Sequence, residues 1–352
     1  MTFLYSLLGI PFGYVMWAIY QIIPSYGVSI ILFTLFTKLI LIPISVKQQK
    51  NSAKTALLGP KLEKIKKQYG KNQQRYQEEV QKLYEREGAN PMAGCFPMII
   101  QFLILFGIYD VVCKPLKHIL HLSNDIIVKF TDIVNTAAKA ANGGKELFSS
   151  GSLQSQIHAF NYYKAHTGDF GDLASQIGQE AVDKLNGFSL SFLGINLGET
   201  PSLAFNMLLL IPILSGITAL ISSIVSTKIN EKNNPAMQGN TTMKSMALIM
   251  PIFSAWIAFS VPAGVGFYWA VSNVFIIVQT ILLAKIYTPE KLKAYAEAEA
   301  EKRRQSRGVY TSTAEVVDEE TGEIKEVTET KQLSDSEKIA LARKRMEEKY
   351  GE

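Results

Sequence analysis

Five long apolar runs constrain this chain more than any other feature, because each is long enough to cross a lipid bilayer as a helix. A hydrocarbon core of about 30 Å needs about 20 helical residues. The runs occupy residues 26–46, 93–115, 203–228, 246–262 and 263–287. They leave few residues for a soluble core in a chain of 352. The sequence therefore predicts an all-α integral membrane protein, built as a five-span helical bundle.

Residues 1–25 form a further apolar stretch, which prolines and aromatic residues interrupt. The interrupting residues are Tyr5, Pro11, Tyr14, Trp17, Tyr20 and Pro24. Aromatic side chains spaced in this way are typical of a helix at the membrane–water interface. The stretch lacks the basic start and the small-residue cleavage site of a secretory signal. We expect an interfacial amphipathic helix here, with a sixth span as the alternative.

The distribution of charge predicts the orientation of the spans. Residues 47–92 carry eleven Lys and Arg against five Glu, whereas residues 116–202 carry six Lys, no Arg and eight acidic residues. Lys and Arg accumulate in cytoplasmic loops, so the first of these segments is predicted to be cytoplasmic and the second to lie outside. Alternation of five spans then puts the N-terminus outside, and the loop 229–245 and the tail 288–352 inside.

The cytoplasmic segments also have a predicted structure. Two amphipathic stretches, one on each side of Gly70–Asn72, predict a helical hairpin within residues 47–92. The tail 288–352 is charged and poor in large apolar side chains, which predicts a solvated helix followed by a flexible tail. Its basic cluster at residues 302–304 is either a contact for RNA or lipid headgroups or an ordinary solvated face.

The outside segment, residues 116–202, is long for a loop, so we expect it to be partly folded. Amphipathic patterns predict short helices at Asp125–Ala141 and Leu153–Ala165, separated by Asn142–Gly144. No motif in this segment indicates a chemical reaction.

Cysteine and histidine are too sparse or too far apart to predict a disulfide or a metal centre. Cys95 and Cys113 lie in one predicted helix, about 27 Å apart at 1.5 Å per residue, which exceeds disulfide reach. Of the four histidines, only His118 and His121 have a spacing that weakly suggests shared ligation. The chain has no GxxxxGK[ST] pattern for nucleotide phosphates. We expect no metal and no cofactor.

Lys38 places a charge near the middle of the first predicted span. It lies nine residues before Lys47, or about 13 Å from the cytoplasmic boundary at helical rise. A lysine at mid-span costs roughly 2.5–3.5 kcal/mol on insertion scales, and its stem is too short to reach the headgroups without distortion of the bilayer. Such a charge is tolerated when it faces water or a partner, and the other predicted spans offer no acidic partner at its depth.

Other polar residues in the spans recur at helical intervals and extend this pattern. Thr34 shares a helix face with Lys38. The second predicted span contributes Gln101, and the last contributes Trp269, Ser272, Asn273 and Gln279. Together they would line a polar groove inside the membrane, where Lys38 supplies a binding site for an acidic group. The alternative is that these polar side chains only form hydrogen bonds between helices, as is common in bundles.

Three stretches of the sequence resemble a known family. They are NPMAGCFPMIIQFLILFGIYDVV at residues 90–112, the preceding basic hairpin with LLGPKLEKIKKQYG, and FSVPAGVGFYWAVSNVFIIVQ at residues 259–279. These closely resemble the YidC/Oxa-type membrane protein insertases. The resemblance covers residues 26–115 and 203–287, about half of the chain. The lack of a large domain before residue 26 is similar to the monoderm bacterial members.

The resemblance implies an insertase rather than an enzyme. In this family, a hydrophilic groove open to the cytoplasm and to lipid receives the short acidic region of a nascent membrane protein, and the apolar segment leaves into the bilayer. Lys38 stands where the best-known members have arginine, so it keeps the charge but loses the planar donor fork. The implied partners are nascent membrane proteins with short acidic translocated regions and membrane lipids. The ribosome, through the basic tail, and the Sec translocon are further candidates.

Two other classes of protein remain open from the residues alone. A channel or secondary transporter also places a cation in mid-membrane, although inverted repeats with broken helices are not visible here. A structural assembly factor would use the hairpin and the tail for docking, with Lys38 merely buried. The resemblance favours insertion at a bacterial cytoplasmic membrane.

Overall fold

The computed structural model describes residues 2–89, 96–146, 148–149, 151–233, 241–306, 309–317 and 324–332. Most of these residues are helical. They form two compact units, one made of Met1–Gln48 with Gly94–Ile286, the other of Gln49–Ala93 with Tyr287–Glu352. Each unit is described separately below.

Three helices within the described residues are long and apolar enough to cross a membrane. They span Tyr26–Leu57, Met207–Asn233 and Ala263–Ile286. Shorter apolar helical stretches occupy Leu7–Ile22, Ile99–Cys113 and Ala247–Ala258. The chain is therefore a predominantly helical, multi-pass membrane protein, and the count of five spans stays a prediction.

The apolar helices of the first unit have the following bounds. They are α1 (Thr2–Ile22), α2 (Tyr26–Leu57), α5 (Phe96–Cys113), α11 (Leu210–Asn233), α12 (Thr241–Ala258) and α13 (Ala263–Ile286). Of residues 90–95, which carry part of the family-like motif, the structure gives no description.

Helix α2 continues beyond the predicted span 26–46 and takes up the first turns of the predicted hairpin. Its sequence has no glycine between Gly27 and Gly59, and Pro43 is accommodated inside the helix. The helix ends at Leu57, and α3 (Gly59–Tyr69) begins with Pro60 in its first turn. A proline is favoured in the first turn of a helix, so Pro60 explains why a new helix begins here, after Leu57, rather than at residue 47.

Helices α11 and α12 are held together by small residues and by one hydrogen bond at a proline. A Cβ on Gly216 of α11 would lie 3.0 Å from the Cβ of Ala255 on α12, so the two backbones approach closely. Pro251 cannot donate to the carbonyl of Ala247, four residues earlier. The hydroxyl of Ser223 on α11 donates to this carbonyl at 2.8 Å.

Helix α1 packs along α5 and the short helical turn at residues 115–118 through two glycines spaced by four. A Cβ on Gly9 would lie 2.3 Å from Oδ2 of Asp110, and one on Gly13 would lie 2.4 Å from Nδ1 of His118. Met16 is completely buried. The structure thus pairs α1 with α5 over a shared face. It contains no bilayer, so whether α1 lies on the membrane or crosses it stays a prediction.

Residues 116–202, the segment predicted to lie outside, form a folded layer, which keeps the name outside segment below. Its helices are α6 (Pro115–His118), α7 (Asn124–Ala141), α8 (Ser155–Ala165), α9 (Leu173–Ile177) and α10 (Gln179–Gly187). The two predicted helices correspond to α7 and α8. Ser123 caps α7 by accepting from the N–H of Ile126, and the buried residues of α7 recur at helical spacing. The core of this layer continues into the spans through Tyr26, Phe33 and Phe188.

A small hairpin joins this layer to the ends of the spans. Its strands are β1 (Ser191–Phe192) and β2 (Ile195–Asn196). Just after it, the carbonyls of Leu197 and Glu199 accept hydrogen bonds from the first N–H groups of α13, on Gly264 and Ala263, both at 2.7 Å. These donors have no partner within the helix, so the outside segment caps α13.

The second unit contains the helical hairpin and the start of the tail. Helices α3 and α4 (Gln73–Glu87) flank the turn at residues 70–72, as the sequence predicts. Asn72 caps α4, and Gly88 ends it in the left-handed region with φ 58°. Helix α14 (Pro289–Ser306) packs Leu292 and Ala296 against Ala53.

The tail departs from the prediction of an all-α fold with a flexible end. Strands β3 (Val309–Val317) and β4 (Ile324–Gln332) pair antiparallel, with Val309 opposite Gln332. Both strands contain valine and threonine, which suit a pleated ribbon. The solvated-helix part of the prediction corresponds to α14, whereas the flexible part is wrong for residues 309–317 and 324–332.

Candidate functional site

Lys38 is the buried cation of the first unit. It lies on α2 one turn after Thr34, and its side chain is only 7% exposed. Thr34 is completely buried and donates its hydroxyl hydrogen to the carbonyl of Ile30 at 2.6 Å. The face of α2 that carries Lys38 therefore points into the helical bundle, while Leu39 and Ile40 on another face are exposed.

Side chains from three helices form a chain of hydrogen bonds at Lys38. Its ammonium Nζ donates to Oε1 of Gln101 on α5 at 3.0 Å. Gln101 in turn donates from Nε2 to the hydroxyl of Tyr268 on α13 at 3.3 Å. Tyr268 is completely buried. The structure thus brings together the polar residues of α2, α5 and α13 at one depth.

Among the described side chains, Lys38 has no carboxylate within 4.0 Å. Asp110, the acidic residue of α5, is occupied elsewhere. Its oxygens pair with Nζ of Lys114 at 2.5 Å and with Nε2 of His118 at 2.8 Å. A buried cation whose recorded partner is a neutral amide is under-compensated, so the site favours an added negative charge.

Two further predicted groove residues, Gln279 and Asn273, form hydrogen bonds with other helices. Gln279 of α13 donates to the hydroxyl of Ser45 on α2 at 2.7 Å, seven residues beyond Lys38 towards the end of the span. Asn273 lies on the side of α13 that faces α11, where its amide reaches the hydroxyl of Thr218 at 3.5 Å. Gln279 therefore extends the polar contact between α2 and α13, and Asn273 belongs to the contact between α11 and α13.

Ser272 and Trp269 complete the predicted set. Ser272 is 1% exposed and lies one turn after Tyr268, on the same face of α13. Trp269 is half-buried and packs at the edge of the main apolar core. Of the predicted residues, Lys38 and Gln101 are in direct contact, and Gln279 and Ser272 share the face of α13 with Tyr268.

Tyr268 is the participant that the sequence did not indicate. It stands next to Trp269 in the motif FYWAVSN, and tyrosines near the end of a span are usual at membrane interfaces. One signal was available: Tyr268 is spaced from Ser272 by four and from Gln279 by eleven, so the three share a helix face.

The described residues contain no cluster of three or more potential metal ligands. His118 pairs with Asp110, whereas His121 stacks on the indole of Trp17 with ring centroids 4.8 Å apart. The two histidines that the sequence offered as a weak pair therefore have separate surroundings.

A family model and two named relatives agree on the family to which the chain is similar. The model of the 60Kd inner membrane protein family matches residues 18–291. The chain is 25% identical over 267 residues to the membrane protein insertase YidC of Oceanobacillus iheyensis, which covers 74% of this chain and 75% of the relative. It is 26% identical over 263 residues to the membrane protein insertase MisCA of Bacillus subtilis. That alignment covers 74% of this chain and 70% of the relative.

Proposed function

Since the chain belongs to the 60Kd inner membrane protein family, we propose that it is a membrane protein insertase of a bacterial membrane. The two relatives given above are named membrane protein insertases, and this chain aligns with 75% and 70% of their lengths. Insertases move a polypeptide into lipid and make or break no covalent bond, so we expect no enzymatic turnover.

The observation that carries the mechanism is the state of Lys38. The residue is 7% exposed, and its ammonium donates a hydrogen bond to a neutral amide. A carboxylate brought to this position would regain Coulomb energy that is much larger in a poorly hydrated site than in water. We therefore assign Lys38, with Gln101, the role of receiving the short acidic region of a nascent membrane protein.

Insertion then follows from the cost of moving polar groups through hydrocarbon. The charges and the backbone of a translocated tail must lose water across a core of about 30 Å. A polar groove between α2, α5 and α13, reaching from the cytoplasmic side to Lys38, offers polar side chains to the tail and so shortens the part of the path that lacks polar partners. Burial of the substrate's apolar segment in lipid supplies the driving force, without nucleotide hydrolysis.

The topology proposed for this activity has five spans, namely α2, α5, α11, α12 and α13. In this arrangement the N-terminus and residues 116–202 lie outside, and the loop 229–245 and the tail lie in the cytoplasm. The support is the excess of lysine and arginine in residues 47–92. Helix α1 lies at the outer interface.

The second unit is proposed to meet the substrate first. Its hairpin of α3 and α4 exposes lysines such as Lys64 and Lys66. The basic end of α14 carries Lys302 and Arg303, which suit the phosphates of ribosomal RNA or anionic lipid headgroups. The Sec translocon is a further candidate partner, and the activity at Lys38 does not depend on it.

The test uses purified protein in liposomes, offered a small membrane protein with an acidic translocated tail. Wild type and Lys38→Arg should insert it, whereas Lys38→Leu should not. Lys228→Leu, which removes an exposed lysine of α11 in the first unit, is the matched control and should insert normally.

Three results would change the interpretation. Insertion by Lys38→Leu at the wild-type level would move the mechanism from the charge to hydration of the groove. No insertion by wild type above empty liposomes would contradict the insertase. Flux of small solutes through the protein, without insertion, would instead favour a channel or transporter.

A further inference from the structure

Apolar side chains are exposed in one region, formed by the tip of the β1–β2 hairpin in the outside segment and by residues 203–207, which lead from that segment into α11. The exposed fractions are 79% for Leu193, 85% for Leu203, essentially all of Phe205 and 54% for Met207. We call these four residues the outer apolar patch. The sequence has no charged residue between Glu199 and Lys228, so the chain leading into α11 carries no charge that would hold it in water.

The level of this patch relative to the bilayer can be counted along three spans. The apolar run of each of α2, α11 and α13 is followed by a lysine: Lys47, Lys228 and Lys285. A hydrocarbon core takes about 20 helical residues. Counting back by that length puts the opposite boundary of the core near Gly27, Leu208 and Val265.

The hairpin lies at this boundary. The ring of Phe192 is 5.4 Å from the ring of Phe267, two residues from the boundary on α13. The same ring occupies the place of a side chain at Gly27, since a Cβ there would lie 2.1 Å from it. Leu193, the next residue, therefore lies at the level where hydrocarbon gives way to headgroups.

The patch is continuous from the hairpin to α11. Met207 comes within 4.0 Å of a Cβ built on Gly194 at the hairpin tip. Beyond Met207, exposed apolar side chains follow along α11: Leu210, Ile213, Leu214 and Ile217. That face of α11 is the surface that a membrane span turns to lipid, so the patch extends a lipid-facing surface onto the outside segment.

The backbone of the tip suits a glycine or asparagine better than the leucine that is there. Leu193 has φ 51° and the following Gly194 has φ 79°. The left-handed region is uncommon for residues other than glycine, asparagine and aspartate. A leucine held there and pointed away from the protein gains nothing from its own fold, but it gains burial if lipid covers it.

We propose that the outer apolar patch inserts into the acyl region of the leaflet next to residues 116–202 and anchors the outside segment to the membrane. The occupant is lipid hydrocarbon, because the patch lies at the hydrocarbon boundary and continues the lipid-facing side of α11. This anchor is independent of Lys38 and of insertase activity.

The experiment places an environment-sensitive nitrobenzoxadiazole dye on single cysteines in full-length protein lacking Cys95 and Cys113. The sites are Leu193→Cys and Phe205→Cys, with Gln176→Cys as the exposed control on the same outside segment and Ile213→Cys as the lipid-facing control on α11. Each labelled protein is reconstituted in phosphatidylethanolamine and phosphatidylglycerol vesicles, with or without lipids that carry a doxyl quencher near the headgroup. Iodide is the aqueous quencher.

At positions 193 and 205 we expect a blue-shifted dye that loses most of its emission to doxyl lipid and little to iodide, as at position 213. Position 176 should show the reverse. Dyes at 193 and 205 that behave like the one at 176 would overturn the proposal. Protection from both quenchers would also overturn it, because the patch would then be covered by protein, either a partner or a second copy of this chain.

Discussion

Replacing Lys38 by methionine should stabilise the protein while it removes the proposed function. Lys38 is only 7% exposed, and its ammonium donates a hydrogen bond to the amide of Gln101. That bond contributes about 1.5–3 kcal/mol, which is less than the several kcal/mol needed to desolvate an ammonium ion. Methionine has a similar length and no charge, so we expect the free energy of unfolding to rise by roughly 1–4 kcal/mol.

The measurement is reversible unfolding of the protein in bicelles by titration with SDS, followed for wild type, Lys38→Met and Lys38→Arg. The arginine variant keeps the charge and should show no gain. Because methionine leaves Gln101 without its donor, the double variant Lys38→Met, Gln101→Leu should be at least as stable as the single one. Equal stability of the methionine and arginine variants would refute the reasoning, since the cation would then already be hydrated or paired.

Three further predictions concern α1, α5 and the outside segment. Gly9→Leu should separate α1 from α5, because a Cβ alone would lie 2.3 Å from Oδ2 of Asp110. Cross-linking between cysteines placed on the two helices would report the separation, and an unchanged yield would contradict it. Asp110→Asn should lower the free energy of unfolding by roughly 3–5 kcal/mol, since it breaks a buried charge cluster; a loss below about 1 kcal/mol in the same SDS titration would mean that the cluster is hydrated. Burial lowers the pKa of His158, so the unfolded state binds the proton more readily. The free energy of unfolding should therefore fall as the pH drops through about 6.5. His158→Gln should flatten this part of the stability–pH curve, and an unchanged slope would assign the pH dependence to another group.

The buried cation could be found from the sequence because a charge within an apolar run has few explanations. Lys38 stands out against leucine and isoleucine, and its depth follows from counting residues. Its surroundings were harder to predict, since the rotation of one helix against another depends on packing that no local pattern records. Asn273 and Tyr268 are both polar and both near the same depth on α13, yet one meets α11 and the other meets Gln101.

The outside segment shows a different limit. Its helices α7 and α8 follow from amphipathic spacing, because each buries one stripe against a core. The β1–β2 hairpin does not, because its strands are two residues long and its position comes from Phe192 packing at Gly27 and Phe267. The longer strands of the tail lie in a segment that is charged as a whole, and this composition predicted a chain without structure there.

The bond from Ser223 to the carbonyl of Ala247 also constrains how this protein enters the membrane during its own synthesis. In hydrocarbon, a carbonyl deprived of its helical donor by a proline costs several kcal/mol unless another group donates to it. That donor belongs to α11, which the ribosome makes before α12. Helix α12 therefore reaches lipid at least cost beside α11, and the two helices are best delivered as one antiparallel pair rather than one after the other.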